Sequence, residues 1–269
     1  MRALEPLELG LMFWAKEDAR ETLREVKRVW RVGRQLGFPG EMNFEGKANN
    51  WKAVLAAKDF LAVTAVLSCA GENYADIPTV KRTVGLVRKP TRAERIARTK
   101  QVADIANALD IKSVACHIGF VPHDRTQPAY TQVRDVACEL CHYCSAHGQN
   151  FTFETGQEPA DILLRFLAEV DRPNLKINFD PANMILYGSG DPIEGLRKLG
   201  PHVISVHCKD GDWPPKNDEN ALGKERALGT GSVDFTRFIA MLKEVGYKGI
   251  LSVQREELDQ LLRRITGRQ

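Results

Sequence analysis

No stretch of the 269-residue chain stays apolar long enough to cross a bilayer: the longest uncharged, mostly apolar run is FLAVTAVLSCAG at residues 60–71, well short of the ~20 residues a spanning helix needs. No membrane partner is expected. Nor is there a surplus of one charge. The 38 Lys and Arg stand against 35 Asp and Glu for a net +3, which gives no reason to make nucleic acid or an anionic surface the partner. The opening MRALEPLELGLMFW carries Glu5 and Glu8 and no unbroken apolar core, so it does not read as a secretory signal and a cytoplasmic location is expected. Cysteines number only six, and in a chain this long without a signal they read as reduced thiols rather than a disulfide framework. No Gly-x-Gly-x-x-Gly turn follows an early strand, which removes the main signature of a dinucleotide-binding open sheet. Low-complexity segments, Ser/Gly linkers and breaks in composition are missing as well, so residues 1–269 read as one domain.

What the chain does contain is alternation. Short β-rich runs at 8–14, 34–38, 61–68, 113–118, 150–154, 175–180, 203–208 and 249–254 are followed by helical periodicity at 18–30, 51–58, 92–109, 130–147, 159–170, 192–199, 235–245 and from about 256. Asp191-Pro192 supplies an N-cap before a first-turn proline, and Gly148, Gly200 and Gly246 stand where helices stop. Eight βα units imply parallel strands joined by right-handed crossovers, and in a chain of this length they predict a single α/β (β/α)8 TIM barrel; an open doubly wound sheet is the alternative. Two connections, 69–90 and 211–232, are longer than the rest. Both would lie at the C-terminal face of the barrel, where they are candidate lids.

In such a barrel the chemistry sits at the C-terminal ends of the strands. Those positions hold Glu41, His117, Glu154, Asp180, His207 and Gln254. From the fourth strand on, each follows an apolar or β-branched run, where an unpaired charge is costly to desolvate. Two carboxylates, an imidazole and an amide oxygen converging on one point would suit a divalent cation such as Mn2+, Mg2+ or Zn2+. Alternatively, each pairs singly with a backbone amide or a nearby lysine.

The strings FTFETGQEPADILL, KINFDPANMILYGSGDP, ISVHCKDGDWPP and GYKGILSVQREE resemble the second half of the xylose isomerase-like barrel proteins, the sugar phosphate isomerase/epimerase group. The resemblance implies one divalent metal ion, Mn2+ ahead of Mg2+, Zn2+ or Co2+, held at Glu154, Asp180, His207 and position 254. The family's fourth ligand is a glutamate, and this chain has Gln254. A glutamine offers a carbonyl oxygen to a metal but cannot take a proton, which works against a two-base epimerisation and leaves Glu154 as the one carboxylate base. The related endonuclease IV barrels bind DNA through a larger set of metal-binding histidines and carboxylates.

The expected function is therefore a metal-dependent isomerase or epimerase that removes a proton next to the carbonyl of a sugar or keto-sugar, with Glu154 as base and Lys209 or His117 as acid. The alternatives are a one-base lyase of keto-sugars or keto-glycosides and a non-catalytic sugar-binding barrel. Lys209-Asp210 also fits an ordinary strand-end ion pair. Candidate substrate contacts are Glu41, Asn183, Trp213 and Arg226; the arginine equally reads as a solvated loop residue. Association into a homo-oligomer is left open. Cys138, Cys141 and Cys144 recur every three residues, which on a helix turns each thiol by roughly −60° from the last. They read as packing residues, not a cluster-binding set. Residues 81–100 hold eight basic side chains against the single acid Glu94. That run fits either an anion-binding patch or an exposed helix face.

Overall fold

The computed structural model describes residues 7–29, 33–43, 45–57 and 61–254. Seven strands run in order from the N-terminus: β1 (Leu9–Trp14), β2 (Gly33–Phe38), β3 (Thr64–Leu67), β4 (Ser113–Cys116), β5 (Asn150–Glu154), β6 (Leu175–Phe179) and β7 (Val203–Cys208). A two-stranded antiparallel hairpin, β8 (Asp210–Asp212) and β9 (Lys224–Arg226), follows, and β10 (Leu251–Gln254) closes the ring. The ring order is β1-β10-β7-β6-β5-β4-β3-β2, parallel throughout. The fold is a TIM barrel. The helices are α1 (Ala19–Val29), α2 (Ala48–Ala57), α3 (Ile77–Thr83), α4 (Arg92–Ala108), α5 (Pro128–Ala146), α6 (Ala160–Val170), α7 (Pro181–Leu186), α8 (Pro192–Leu199) and α9 (Phe235–Glu244). The helix expected from about residue 256 lies outside the described residues.

Strand alternation divides the side chains into two populations. Phe151 and Phe153 of β5, Ile177 and Phe179 of β6 and Val206 of β7 join the core between barrel and helices. There Phe179 stacks on Phe238 of α9 at 6.0 Å, and Phe153 meets Phe166 of α6 at 6.0 Å. The alternate residues turn inward. On one side these are Met12, Val66 and Ala115, a small cluster of their own; on the other they are buried and polar: Thr152, Glu154, Asn178, Ser205 and His207.

Both long connections are built structures rather than open loops. After β3, Asp76 caps α3 by accepting from the Thr79 amide at 2.6 Å. Glu72 holds the base of this excursion by accepting from the amides of Cys69 and Gly85 and from the Tyr74 hydroxyl. After β7, the buried Asp210 carboxylate accepts from the amides of Gly211, Gly231 and Val233, tying the two ends of residues 211–232 together. The Ile77 amide donates to Asn220 at 2.9 Å, so the two excursions meet. The loops after β3 and β4 cross at Gly85 and Gly119 (φ +100° and +98°), where a Cβ on Gly85 would lie 2.5 Å from the Gly119 backbone.

The basic run is largely used inside the fold. Arg95 is buried and donates to Gly85 and Ala70; Arg92 donates to Val87 and Gln132; Lys81 lies over the Phe120 ring. Among the described residues no helix is long and apolar enough to cross a membrane.

All six cysteines are free thiols. Burial pushes Cys69, Cys141 and Cys144 up to about 12, and Cys116 well above its ordinary value. Only Cys138 is not buried. A thiol reagent at pH 8 is therefore expected to label Cys138 well ahead of the other five, which mass mapping of the labelled peptides would check.

A second buried carboxylate ties the β4 and β5 loops together. Glu158 Oε1 accepts from the Val121 amide at 2.7 Å, and His123 Nε2 lies 3.4 Å from Oε2. Burial pushes this carboxyl up to about 7, with the Val121 hydrogen bond and the Lys81 charge opposing it only in part. The folded state thus holds this proton more tightly than the unfolded chain, whose glutamates titrate near ~4.3. Stability is full below that value and falls as pH rises through about 7, by on the order of 3–4 kcal/mol. Denaturant midpoints of Glu158→Gln are expected to show a shallower decline from pH 5 to 8 than those of the wild type. Parallel profiles would exclude Glu158 as the source.

Candidate metal centre

Three side chains meet where β5, β6 and β7 end. Glu154 closes β5, Asp180 follows β6, and His207 stands near the end of β7; their ligand atoms all lie within 4.8 Å of one another. Local sequence fixes each one. The backbone of Asp180 exchanges hydrogen bonds with Thr155 Oγ1, at 2.8 and 3.0 Å, which locks the end of β5 to the end of β6. Asp180-Pro181 then starts α7: Asp180 Oδ1 accepts from the Asn183 amide at 2.9 Å, and the proline occupies the first turn. The cap uses one carboxylate oxygen. The other, Oδ2, is buried and has no hydrogen-bond partner among the described residues.

His207 is fully buried, and its ring is oriented from the opposite wall. Its Nε2 meets Gln35 Oε1 of β2 at 2.5 Å, so Nε2 carries the hydrogen and donates it. This turns Nδ1 toward Glu154 Oε1 (3.3 Å) and Asp180 Oδ2 (3.7 Å). Gln35 is itself held by donating to Asn178 Oδ1, which also accepts from Ser205 at 2.6 Å. A histidine whose other ring nitrogen donates to a fixed acceptor is the usual arrangement for a metal ligand.

Charge in this cluster is balanced locally. Burial alone would push the Glu154 carboxyl up, but the charges of His117 and His207, the hydrogen bond to His207 and Lys209 hold it well below the usual carboxylate range. Burial works against a charged His207, yet Glu154 and Asp180 raise it to about 9. His207 Nδ1 faces both buried carboxylates, and Asp180 Oδ2, 3.7 Å from it, makes no hydrogen bond among the described residues. Two carboxylate oxygens and one imidazole nitrogen suit a hard or borderline divalent cation, so the residues present fit a metal.

Glu154 and His207 line a cavity of about 800 Å3, while Asp180 is fully buried and off its wall. Asn183 Nδ2 donates to Glu154 Oε1 at 2.9 Å, and Asn183 Oδ1 accepts from Lys209 Nζ at 3.0 Å. Lys209 also meets Glu225 of β9 at 2.5 Å. Burial opposes its charge, but Asp180, Glu225 and Glu154 keep the ammonium firmly protonated. His117 borders the cavity with Nε2 3.6 Å from Glu154 Oε1, and its buried Nδ1 has no hydrogen-bond partner among the described residues.

The structure thus brings together Glu154, Asp180, His207, Asn183, Lys209 and His117. Position 254 is in register with Met12, whose side chain lines the cavity, but the Gln254 side chain lies outside the described residues. Three other candidates stand away from the cavity. Glu41 is exposed, because β2 stops at Phe38 and a Pro39-Gly40 turn carries the chain outward. Trp213 is 45% exposed and does not line the cavity. Arg226 is paired at 2.5 Å with Asp212 across the hairpin, and it is its neighbour Glu225 that turns inward. Gln35, Asn178, Glu72 and Glu225 are site residues that the sequence reading missed.

Residues 15–265 match the family described as the xylose isomerase-like TIM barrel. The chain belongs to the xylose isomerase-like TIM barrel family. A solved xylose isomerase domain protein from Planctomyces limnophilus is 37% identical, superposes with a TM-score of 0.87, and the match covers 97% of each chain. Within the same fold, D-psicose 3-epimerase, solved in the presence of D-fructose, is 15% identical with a TM-score of 0.65 over 92% of this chain and 84% of that one. An uncharacterised protein of Methanocaldococcus jannaschii is 25% identical over 162 residues, 56% of this chain and 53% of its own length. The chain therefore spans about half the length of the curated relative it matches.

Proposed function

We propose that this xylose isomerase-like barrel is a divalent-metal-dependent enzyme that removes a proton next to the carbonyl of a sugar or keto-sugar, leading to isomerisation or epimerisation. The observation that carries this reading is the meeting of Glu154, Asp180 and His207 beside the cavity that Glu154 and His207 line, with Asp180 Oδ2 making no hydrogen bond among the described residues. Glu154, Asp180 and His207 would hold a divalent cation, which would supply positive charge near the carbonyl oxygen. Glu154 takes the proton, while the Asn183 amide fixes its Oε1. Lys209 and His117 stand on either side of that carboxylate as proton donors. D-psicose 3-epimerase shares the fold, and sugar chemistry at this end of the barrel is in keeping with that likeness.

The test pairs elemental analysis of the purified protein with proton exchange in D2O. About one Mn, Mg, Zn or Co per chain, a melting shift on chelation, and NMR-detected deuterium uptake next to the carbonyl of a keto-sugar are expected. No metal, and no shift with excess Mn2+, would leave the non-catalytic sugar-binding reading.

A second reading, a one-base lyase of keto-sugars, is favoured by Gln254. Position 254 offers no carboxylate that could serve as the second base beside Glu154. Product analysis separates the two: loss of a leaving group supports the lyase, and an inverted or migrated hydroxyl supports the isomerase.

A further inference from the structure

The cavity is divided across the barrel. In the ring order β1 stands opposite β5, and β3 opposite β7. Glu154, His207 and Lys209 occupy the β5 and β7 side; Met12 and Trp14 of β1 and Val66 of β3 line the other. Tyr74 of the excursion after β3, Leu186 at the end of α7 and Leu222 of the excursion after β7 add further apolar lining. Trp14 and Tyr74, 37% and 43% exposed, are among the most exposed large hydrophobic residues described, and both line this cavity. At about 800 Å3 the space lies toward the upper end of the ~300–1,000 Å3 typical of small-molecule sites, more than one six-carbon ring fills.

The charges around the cavity are already matched. Lys209 is the only lysine or arginine among the described lining residues, and Glu225 and Asn183 occupy it. Glu72 lies 3.8 Å from Arg95, which stands behind it. Glu154 and Asp180 are the pair that a divalent cation would neutralise. An anionic ligand would meet Glu72, Glu154 and Glu225 with no unmatched cation to receive it.

We propose that the substrate is an uncharged sugar carbonyl compound carrying an apolar substituent, as in a keto-glycoside with an aromatic or alkyl aglycone, and not a phosphate ester. The sugar lies over Glu154 and His207, and the substituent fills the wall of Met12, Trp14, Val66 and Leu222. This rests on the reading of the site as a sugar-carbonyl centre, so its test reads binding and not turnover.

Calorimetry on the Mn2+-supplemented protein would compare phenyl and methyl keto-glucosides, with the keto group at the same carbon and the same anomeric configuration, and the 6-phosphate of the methyl compound. The phenyl compound is expected to bind at least about tenfold more tightly than the methyl compound, about 1.4 kcal/mol, and the phosphate no more tightly than the methyl. Leu222→Ser, on a partly exposed loop, is expected to shrink the phenyl-to-methyl ratio. Equal affinities, a phosphate that binds more tightly than the methyl compound, or no binding of the phenyl compound at millimolar concentration would overturn the proposal. Phenyl preference without metal uptake or proton exchange would defeat the catalytic reading and leave this inference standing. Exchange on free keto-sugars with no phenyl preference would do the reverse.

Discussion

Glu154→Gln is expected to slow deuterium uptake next to the substrate carbonyl by about 10²–10⁴-fold, the usual range for removing a positioned general base. The substitution keeps the side-chain volume and an oxygen that can accept from Asn183 Nδ2, so the hydrogen bond at 2.9 Å has a counterpart in the variant. What is removed is the proton acceptor. The surrounding charges hold Glu154 ionised well below neutral pH, so the wild-type carboxylate is available as a base at any pH where the protein is assayed. The loss should fall on kcat more than on KM, since substrate contacts at Lys209 and the apolar wall are untouched. A melting temperature close to wild type would show that the fold survived. Exchange within about threefold of wild type, with metal bound, would mean that the proton goes to another group, and His117 would be the next candidate.

The barrel itself was legible because, from the fourth strand on, each short β-rich run ends in a polar residue, and most helices are long enough to show their period. Units too short to show a period were not. The helix α7 has six residues and follows β6 without a gap, so Asp180 read as a strand end when it is also a helix cap. The hairpin of β8 and β9 has three residues a side, and nothing in GKERALG tells which of Glu225 and Arg226 turns inward; an arginine looked the better substrate contact, yet the fold gives the cavity to the glutamate. The metal candidates on the β5–β7 side were found because they stand at strand ends. Gln35 was missed for the opposite reason: it sits inside β2, where position alone marks it as core, and only the closed ring brings it to His207 on the far side.

That contact makes the second large effect separable into two parts. His207→Ala removes a ligand nitrogen and is expected to lower metal affinity by at least about 100-fold, about 2.7 kcal/mol. It also leaves Glu154 and Asp180 buried with no imidazole between them, so the metal-free variant should melt lower at neutral pH than the wild type, as buried carboxylates without a partner are costly. A drop in metal content from that variant alone would therefore mix ligand loss with destabilisation. Gln35→Leu separates them. It touches neither carboxylate and has a similar volume; it removes the acceptor that fixes the His207 ring with Nδ1 facing Glu154 and Asp180, together with the hydrogen bond that Gln35 donates to Asn178. Loss of such a supporting contact typically weakens metal binding by about 10–100-fold. Titration of Mn2+ into the chelator-stripped proteins, read by calorimetry, should rank them wild type, Gln35→Leu, His207→Ala. If Gln35→Leu bound Mn2+ as tightly as wild type while His207→Ala still failed, the ring would be oriented by some other group. If both bound as wild type, the metal would not lie at the ends of β5, β6 and β7.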